Sequence, residues 1–138
     1  MRTRSRRSVW LGRLVLSGAA LLLLRIAAQF VADPVGAAAS HGIVLGSVEA
    51  VTIMRVSGGV FLGIALVLLV CLASDERLVV GLGVLAAVAT SITLVRLLGV
   101  VVDGPAPFTL HVLKPEVALV IASTAAFAAE RRRSRVVR

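Results

Sequence analysis

Arg25, Arg55, Arg96 and Glu116 are ionisable side chains set inside long apolar stretches of this sequence. A charge at the centre of a bilayer-spanning helix costs about 2.5–3.5 kcal/mol on insertion scales, so each must be compensated or put to use. Two chemistries fit. Arginine guanidinium groups are planar and always charged, and they hold a carboxylate, phosphate or lipid headgroup by bidentate hydrogen bonds. In that reading the four residues form a polar layer around a small anion, lipid or quinone. Glu116 would orient an arginine or exchange a proton, and His41, Asp103 and His111 would edge the mouth. In the other reading the charges serve the fold. Arg25, Arg55, Arg96 and Lys114 balance Asp33, Glu49, Asp103 and Glu116 in the same half of the chain's spans. Arginines can also snorkel to a nearby interface. Glu116 is the acid set well inside a stretch, so an Arg96–Glu116 or Arg55–Glu116 pair is the first structural expectation.

Other chemistry finds little support. Cys71 is the single cysteine, which excludes a disulfide within one chain and a cysteine-based metal cluster. His41 and His111 are the two histidines, and a metal site normally gathers three or four protein ligands. No nucleophile–base pair, phosphate-cradling glycine loop or metalloprotease motif occurs. No enzymatic activity, metal or cofactor is therefore expected. Gly58, Gly59 and Gly63 form a small-xxx-small pattern that lets another helix approach closely. That helix is either a neighbour in the same bundle or a second copy of the chain. The pattern predicts that Gly59→Leu disrupts packing.

The elements that must position these residues follow from composition. Of 138 residues 59% are hydrophobic and the mean hydropathy is +1.02, far above the roughly 45–50% apolar content of soluble domains. A soluble globular enzyme is excluded, and so is a disordered chain. Four apolar stretches cover about residues 10–32, 51–73, 78–102 and 109–129. Each is long enough for an α-helix to cross a hydrocarbon core of about 30 Å, and none shows the alternation of a barrel strand. Asp33-Pro34 ends the first span. Residues 36–47 can hold a short interfacial helix. Ser74 or Asp75 caps the third span, and Asp103-Gly104-Pro105 with Pro107 turns the chain into the fourth. The fold expected is an all-α, four-helix transmembrane bundle. In it the four charged residues lie roughly 6–10 Å below the outer boundary, at about 1.5 Å per residue.

The net charge of +8 is concentrated at the ends. Basic tails over residues 1–9 and 130–138, together with Arg77, fall on one side, where the positive-inside rule puts the cytoplasm. Both termini are thus expected inside a bacterial cytoplasmic (inner) membrane. The tails attract anionic lipid headgroups, at about 1 kcal/mol per basic residue near the surface. Nucleic-acid binding is not expected, since no aromatic-studded module accompanies the arginines. The first span also has the layout of a secretory signal, with paired arginines at Arg6-Arg7. Phe30 and Arg25 argue against cleavage, which would leave three spans.

With the spans in place, residues 54–63 (Met-Arg-Val-Ser-Gly-Gly-Val-Phe-Leu-Gly), Arg96-Leu97-Leu98 with Asp103-Gly104-Pro105, and Pro115-Glu116 come in an order that is diagnostic. The chain resembles a family of small bacterial membrane proteins defined as a domain of unknown function, DoxX-like in architecture. The resemblance covers about residues 10–129. It implies a four-helix bundle with marked positions at Arg55, Arg96 and Glu116, and no activity. Members often carry a polar or acidic residue directly before the second-helix arginine, where this chain has Met54. Arg25 is not part of the pattern.

Overall fold

Each apolar stretch folds as an α-helix, and the polar breaks between them supply the caps. The computed structural model describes the backbone of residues 2–136 and the side chains of residues 9–134. The elements are α1 (Arg2–Ala32), α2 (Pro34–Ala39), α3 (Val48–Leu72), α4 (Asp75–Asp103) and α5 (Pro107–Val136). Among the described residues there is no strand.

The short helix α2 begins earlier than the loop composition suggests, because Asp33 both ends α1 and caps α2. Asp33 Oδ1 accepts a hydrogen bond from the Gly36 backbone N–H at 2.9 Å. A Cβ on Gly36 would meet the Asp33 carboxylate, so a side chain there would displace the cap. Ser47 Oγ accepts from Ala50 N at 3.2 Å and Ser74 Oγ from Arg77 N at 3.3 Å. Each satisfies an orphan donor of the first helical turn. These caps start α3 and α4 about one turn before the apolar runs themselves. The basic stretches read as tails in fact continue α1 and α5 as helix, to Arg2 at one end and Val136 at the other.

Four segments are long and apolar enough to cross a membrane: Val9–Ala32, Val48–Leu72, Asp75–Asp103 and Pro107–Ser134. On all four, large aliphatic side chains such as Leu21, Val56, Val95 and Ile121 point outward. Water-soluble monomers rarely expose so much contiguous apolar surface. The architecture is that of a multi-pass membrane protein with an all-α, four-helix core.

Helix α1 packs mainly against α3, and α4 mainly against α5. Contacts of α1 with α5 and of α3 with α4 close the ring, and α1 also meets α4 across the centre. Among the described residues, helices α3 and α5 make no close approach. The buried cluster of Leu16, Ala19, Ala20, Leu68, Cys71, Leu78, Leu82, Leu85 and Ala126 fills the half of the bundle from which both chain ends emerge. We call this the terminal half, and the other, which carries α2 and the Gly104 turn, the loop half.

Close contacts fix the register. A Cβ on Gly81 would lie 2.6 Å from Cys71 Cβ and 2.9 Å from a Leu16 methyl, so residues 16, 71 and 81 share one level. Gly12 faces Leu78 and Leu82, Gly83 faces Phe127, and Gly58 lies against Ala27, Phe30 and Val31. Counting from these contacts at about 1.5 Å per residue, Arg55 is level with about Leu97, and Arg25 with about Ser91.

Candidate functional site: an arginine–glutamate pair in the loop half

The turn after α4 creates the site. Gly104 has φ +92°, a conformation that side-chain-bearing residues avoid, and Pro107 opens α5 directly after it. The two helices therefore run back along each other in a tight antiparallel pair. This brings Arg96 of α4 opposite Glu116 of α5.

The contact between them is bidentate. Arg96 Nε donates to Glu116 Oε2 at 2.7 Å and Arg96 Nη2 donates to Oε1 at 2.8 Å. Both oxygens of the carboxylate are thus engaged by one guanidinium, in the parallel-fork geometry that gives arginine pairs their strength. The two side chains are 25% and 17% exposed, so most of the pair is shielded by protein even before lipid is considered. Pro115 lies within α5, immediately before Glu116. It has no N–H, so the carbonyl of His111 lacks its usual helical partner.

The other residues of the expected layer are placed differently. Arg55 shares the level of the pair but sits on α3, diagonal to α5, so an Arg55–Glu116 pair is not made. Arg25 is deeper. Helix α1 ends at Ala32, which the register sets roughly 7 Å below the end of α4 at the standard helical rise. Depth counted from α1's own end therefore overstates how near the surface Arg25 lies. Both arginines are exposed on the outside of the bundle. Among the described residues, neither makes a hydrogen bond or an ion pair.

The three residues expected to edge a pocket line neither of the two recesses on the outside of the bundle. His41 stacks on Phe108, with ring centroids 4.5 Å apart and planes at 29°, which ties the α2–α3 connection to the start of α5. Asp103 and His111 are exposed nearby. Among the described residues no group of three His, Cys, Asp or Glu side chains is gathered in a way that could hold a metal ion. Two recesses stand out, both open on the outside. One, of about 410 Å³, lies on α4 and is lined by Ser91, Ile92, Val95 and Arg96. The other, of about 220 Å³, is lined by Thr124, Phe127, Ala128, Arg131 and Arg132 at the terminal end of α5.

The glycines also divide. Gly58 is the close-approach position of α3: a Cβ there would stand 2.9 Å from Phe30 Cβ and 3.2 Å from the Ala27 carbonyl oxygen. Around Gly59 and Gly63 nothing lies within 4 Å. The intramolecular contact therefore belongs to Gly58, and Gly59 and Gly63 face away from the bundle.

Sequence reasoning missed the charges of the terminal half. Arg13 of α1 meets Asp75 at the start of α4, Nη2 to Oδ1 at 2.8 Å. Glu130 is fully buried and pairs with Arg133 three residues on. The i,i+3 spacing of Glu130 and Arg133 was a usable signal, hidden by reading that stretch as a tail. Thr93, one turn before Arg96, buries its hydroxyl without a hydrogen-bond partner among the described residues.

A family model for a domain of unknown function, DUF4345, matches residues 11–127. No curated protein and no solved structure matches the chain.

Proposed function

The chain belongs to the DUF4345 family, a domain of unknown function, and we propose that it acts without catalysis, as a membrane-embedded interaction protein whose Arg96–Glu116 pair fastens the loop half of the bundle. The bidentate contact between Arg96 and Glu116 carries this reading. With one guanidinium N–H on each of its oxygens, the carboxylate has its charge compensated inside the bundle, so the pair can hold α4 to α5 without a ligand.

The arrangement in the membrane belongs to the same proposal. The Arg-rich ends and Arg77 put the terminal half on the cytoplasmic side, by the excess of basic residues there. A bacterial inner membrane and a DoxX-like architecture are the setting that the sequence suggests. Arg131 and Arg132 beside the apolar side chains of Thr124, Phe127 and Ala128 suit an anionic lipid headgroup above its acyl chain. The outward-facing Gly59 and Gly63 leave a surface on which a second copy can dock.

One observation favours a second reading, the binding of a small anion, lipid or quinone. The open recess beside Ser91, Ile92 and Val95 ends at Arg96, whose remaining N–H groups are not used by Glu116.

A double-mutant cycle in bicelles tests the choice. Glu116→Gln and Arg96→Gln should each lower stability by about 1–3 kcal/mol, below the 3–5 kcal/mol of a fully buried pair because these groups are partly exposed. The double variant should be no worse than the weaker single. An unchanged melting temperature in Glu116→Gln would refute the fastener and turn attention to a ligand at Arg96.

A further inference from the structure

Arg25 and Arg55 are both left over by the fastener, and the level of Arg25 in the bundle is unusual. Two routes give that level. Directly, the contacts of Gly12 and Leu16 with α4 set Arg25 beside about Ser91; by way of α3, the Gly58 and Gly81 contacts set it beside about Ala89. Helix α4 runs from Asp75 to Asp103, so either position is close to its midpoint. Arg25 thus stands near the middle of the membrane, on the outer surface of α1.

Among the described residues nothing compensates it, and Glu76 stands far from it in the first turn of α4. Glu116 is held by Arg96, and Asp75 and Glu130 are paired at the terminal end. Asp33, Glu49 and Asp103 lie at the loop end. Snorkelling does not suffice. From the middle of a hydrocarbon core of about 30 Å the headgroups are about 15 Å away, roughly twice the reach of an extended arginine. A second copy has the same set of acids at the same levels, so it has none to offer at this depth when packed alongside.

The surroundings of Arg25 have the form of a helix-docking seam. Gln29, one turn along, is exposed, and among the described residues its side-chain amide makes no hydrogen bond. Gly18 has nothing within 4 Å of the place a Cβ would occupy. Gly18, Leu22, Arg25, Gln29 and Ala32 are all exposed, and their alternating spacing of four and three is that of a helix–helix interface.

We propose that this face of α1 docks a transmembrane helix of a different membrane protein, one that carries an Asp or Glu near its middle to pair with Arg25. Gln29 supplies a second hydrogen bond and Gly18 lets the two backbones approach. The proposal rests on the interaction-protein reading and names its surface and the chemistry of its partner.

The test uses the full-length chain in phosphatidylcholine vesicles with a fluorescent donor. The probe is an acceptor-labelled, leucine-rich transmembrane peptide with one glutamate at its centre, compared with the same peptide carrying leucine there. Interhelical polar contacts of about 1–2 kcal/mol predict roughly tenfold tighter association of the glutamate peptide. Arg25→Leu should abolish that preference and Arg25→Lys should keep most of it. Arg25 is exposed on the outer surface of α1, and circular dichroism checks that the variants fold. Glu116→Gln should leave the preference intact, which separates this surface from the fastener. Equal binding of the two peptides overturns the proposal, as does a preference that survives Arg25→Leu. Self-association of the chain lost in Arg25→Leu also overturns it, while leaving an interaction protein that pairs with itself.

Discussion

The terminal and loop halves of the bundle are held by different means. In the terminal half Leu16, Leu68, Leu78, Leu82 and Leu85 are almost wholly buried, and Gly12 and Gly81 let the helices come close enough for these side chains to interlock. In lipid there is no hydrophobic force between helices, so this close packing and its dispersion contacts supply the cohesion. In the loop half large buried aliphatics are absent from the core cluster. There the helices are joined by one ion pair, the Gly58 approach, an edge-to-face contact of Phe30 with Phe61 at 5.8 Å and the His41–Phe108 stack. Packing energy is spread over many contacts, whereas a polar fastener is concentrated in a few atoms. The loop half should therefore fail at single residues and open locally before the terminal half does.

The strongest challenge to this contrast is Gly81→Leu. The added side chain would begin 2.6 Å from Cys71 Cβ, in the tightest part of the terminal half. Overpacking of a filled core costs about 1–3 kcal/mol and sometimes more, and here both α1 and α3 would have to move. The expected loss is at the top of that range, about 3 kcal/mol, read as a lowered midpoint in a reversible unfolding titration in bicelles. A well-folded Gly81→Leu with wild-type stability would mean that the terminal half is not close-packed.

Gly58 and Gly59 sharpen the comparison within one helix. Gly58→Ala places a methyl 2.9 Å from Phe30 Cβ and 3.2 Å from a backbone oxygen, and the backbone cannot yield cheaply. A loss of about 1–3 kcal/mol follows from overpacking. Gly59→Ala meets open space, and should leave the single chain's stability unchanged or slightly raised, since glycine costs a helix about 1 kcal/mol relative to alanine. The same holds for Gly59→Leu, against what the spacing alone predicts. If thermal melts of dilute samples rank the two alanine variants the other way, the assigned faces of α3 are reversed.

The turn that aligns the fastener is the next point of weakness. Gly104 at φ +92°, ψ 167° occupies backbone space used essentially by glycine. Gly104→Ala should cost about 1–2 kcal/mol and should raise hydrogen exchange in the last turns of α4 and the first of α5, with little change around Leu78 and Leu82. Uniformly faster exchange through both halves would show that they unfold as one unit.

These sites show what the sequence could and could not reveal. The four helices were legible because runs of about 20 apolar residues leave the backbone no other way to satisfy its polar groups in lipid. The Arg96–Glu116 pair was legible because Glu116 is an acid set deep in an apolar run. The depth of Arg25 was not, since it depends on where α1 ends relative to α4, and that offset is fixed by contacts of Gly12 and Gly81. The choice between Gly58 and Gly59 was hidden for a related reason. Adjacent helical residues point about 100° apart, and a spacing rule does not say which of two neighbouring glycines faces the bundle. The Glu130–Arg133 pair was hidden by the assumption that residues 130–138 are a tail, and Arg13–Asp75 by the 62 residues between its partners.

The smallest effect tests the polar character of the loop half most directly. Thr93 lies one helical turn before Arg96 and is 7% exposed, and its hydroxyl has no partner among the described residues. An unsatisfied buried hydroxyl costs about 1–3 kcal/mol relative to a satisfied one. Valine has the same shape and no polar atom. If Thr93 is only a packing residue, Thr93→Val removes that cost and should raise stability by up to about 1 kcal/mol, without altering the Arg96–Glu116 coupling in the double-mutant cycle. If the hydroxyl instead serves a molecule held within the bundle, Thr93→Val will leave the purified chain no less stable but lower its retention of that molecule in native mass spectrometry. A gain in stability with no change in retained mass would place the loop half with the terminal half as structure. A change in retained mass would make it a binding region, held open by the same pair that fastens it.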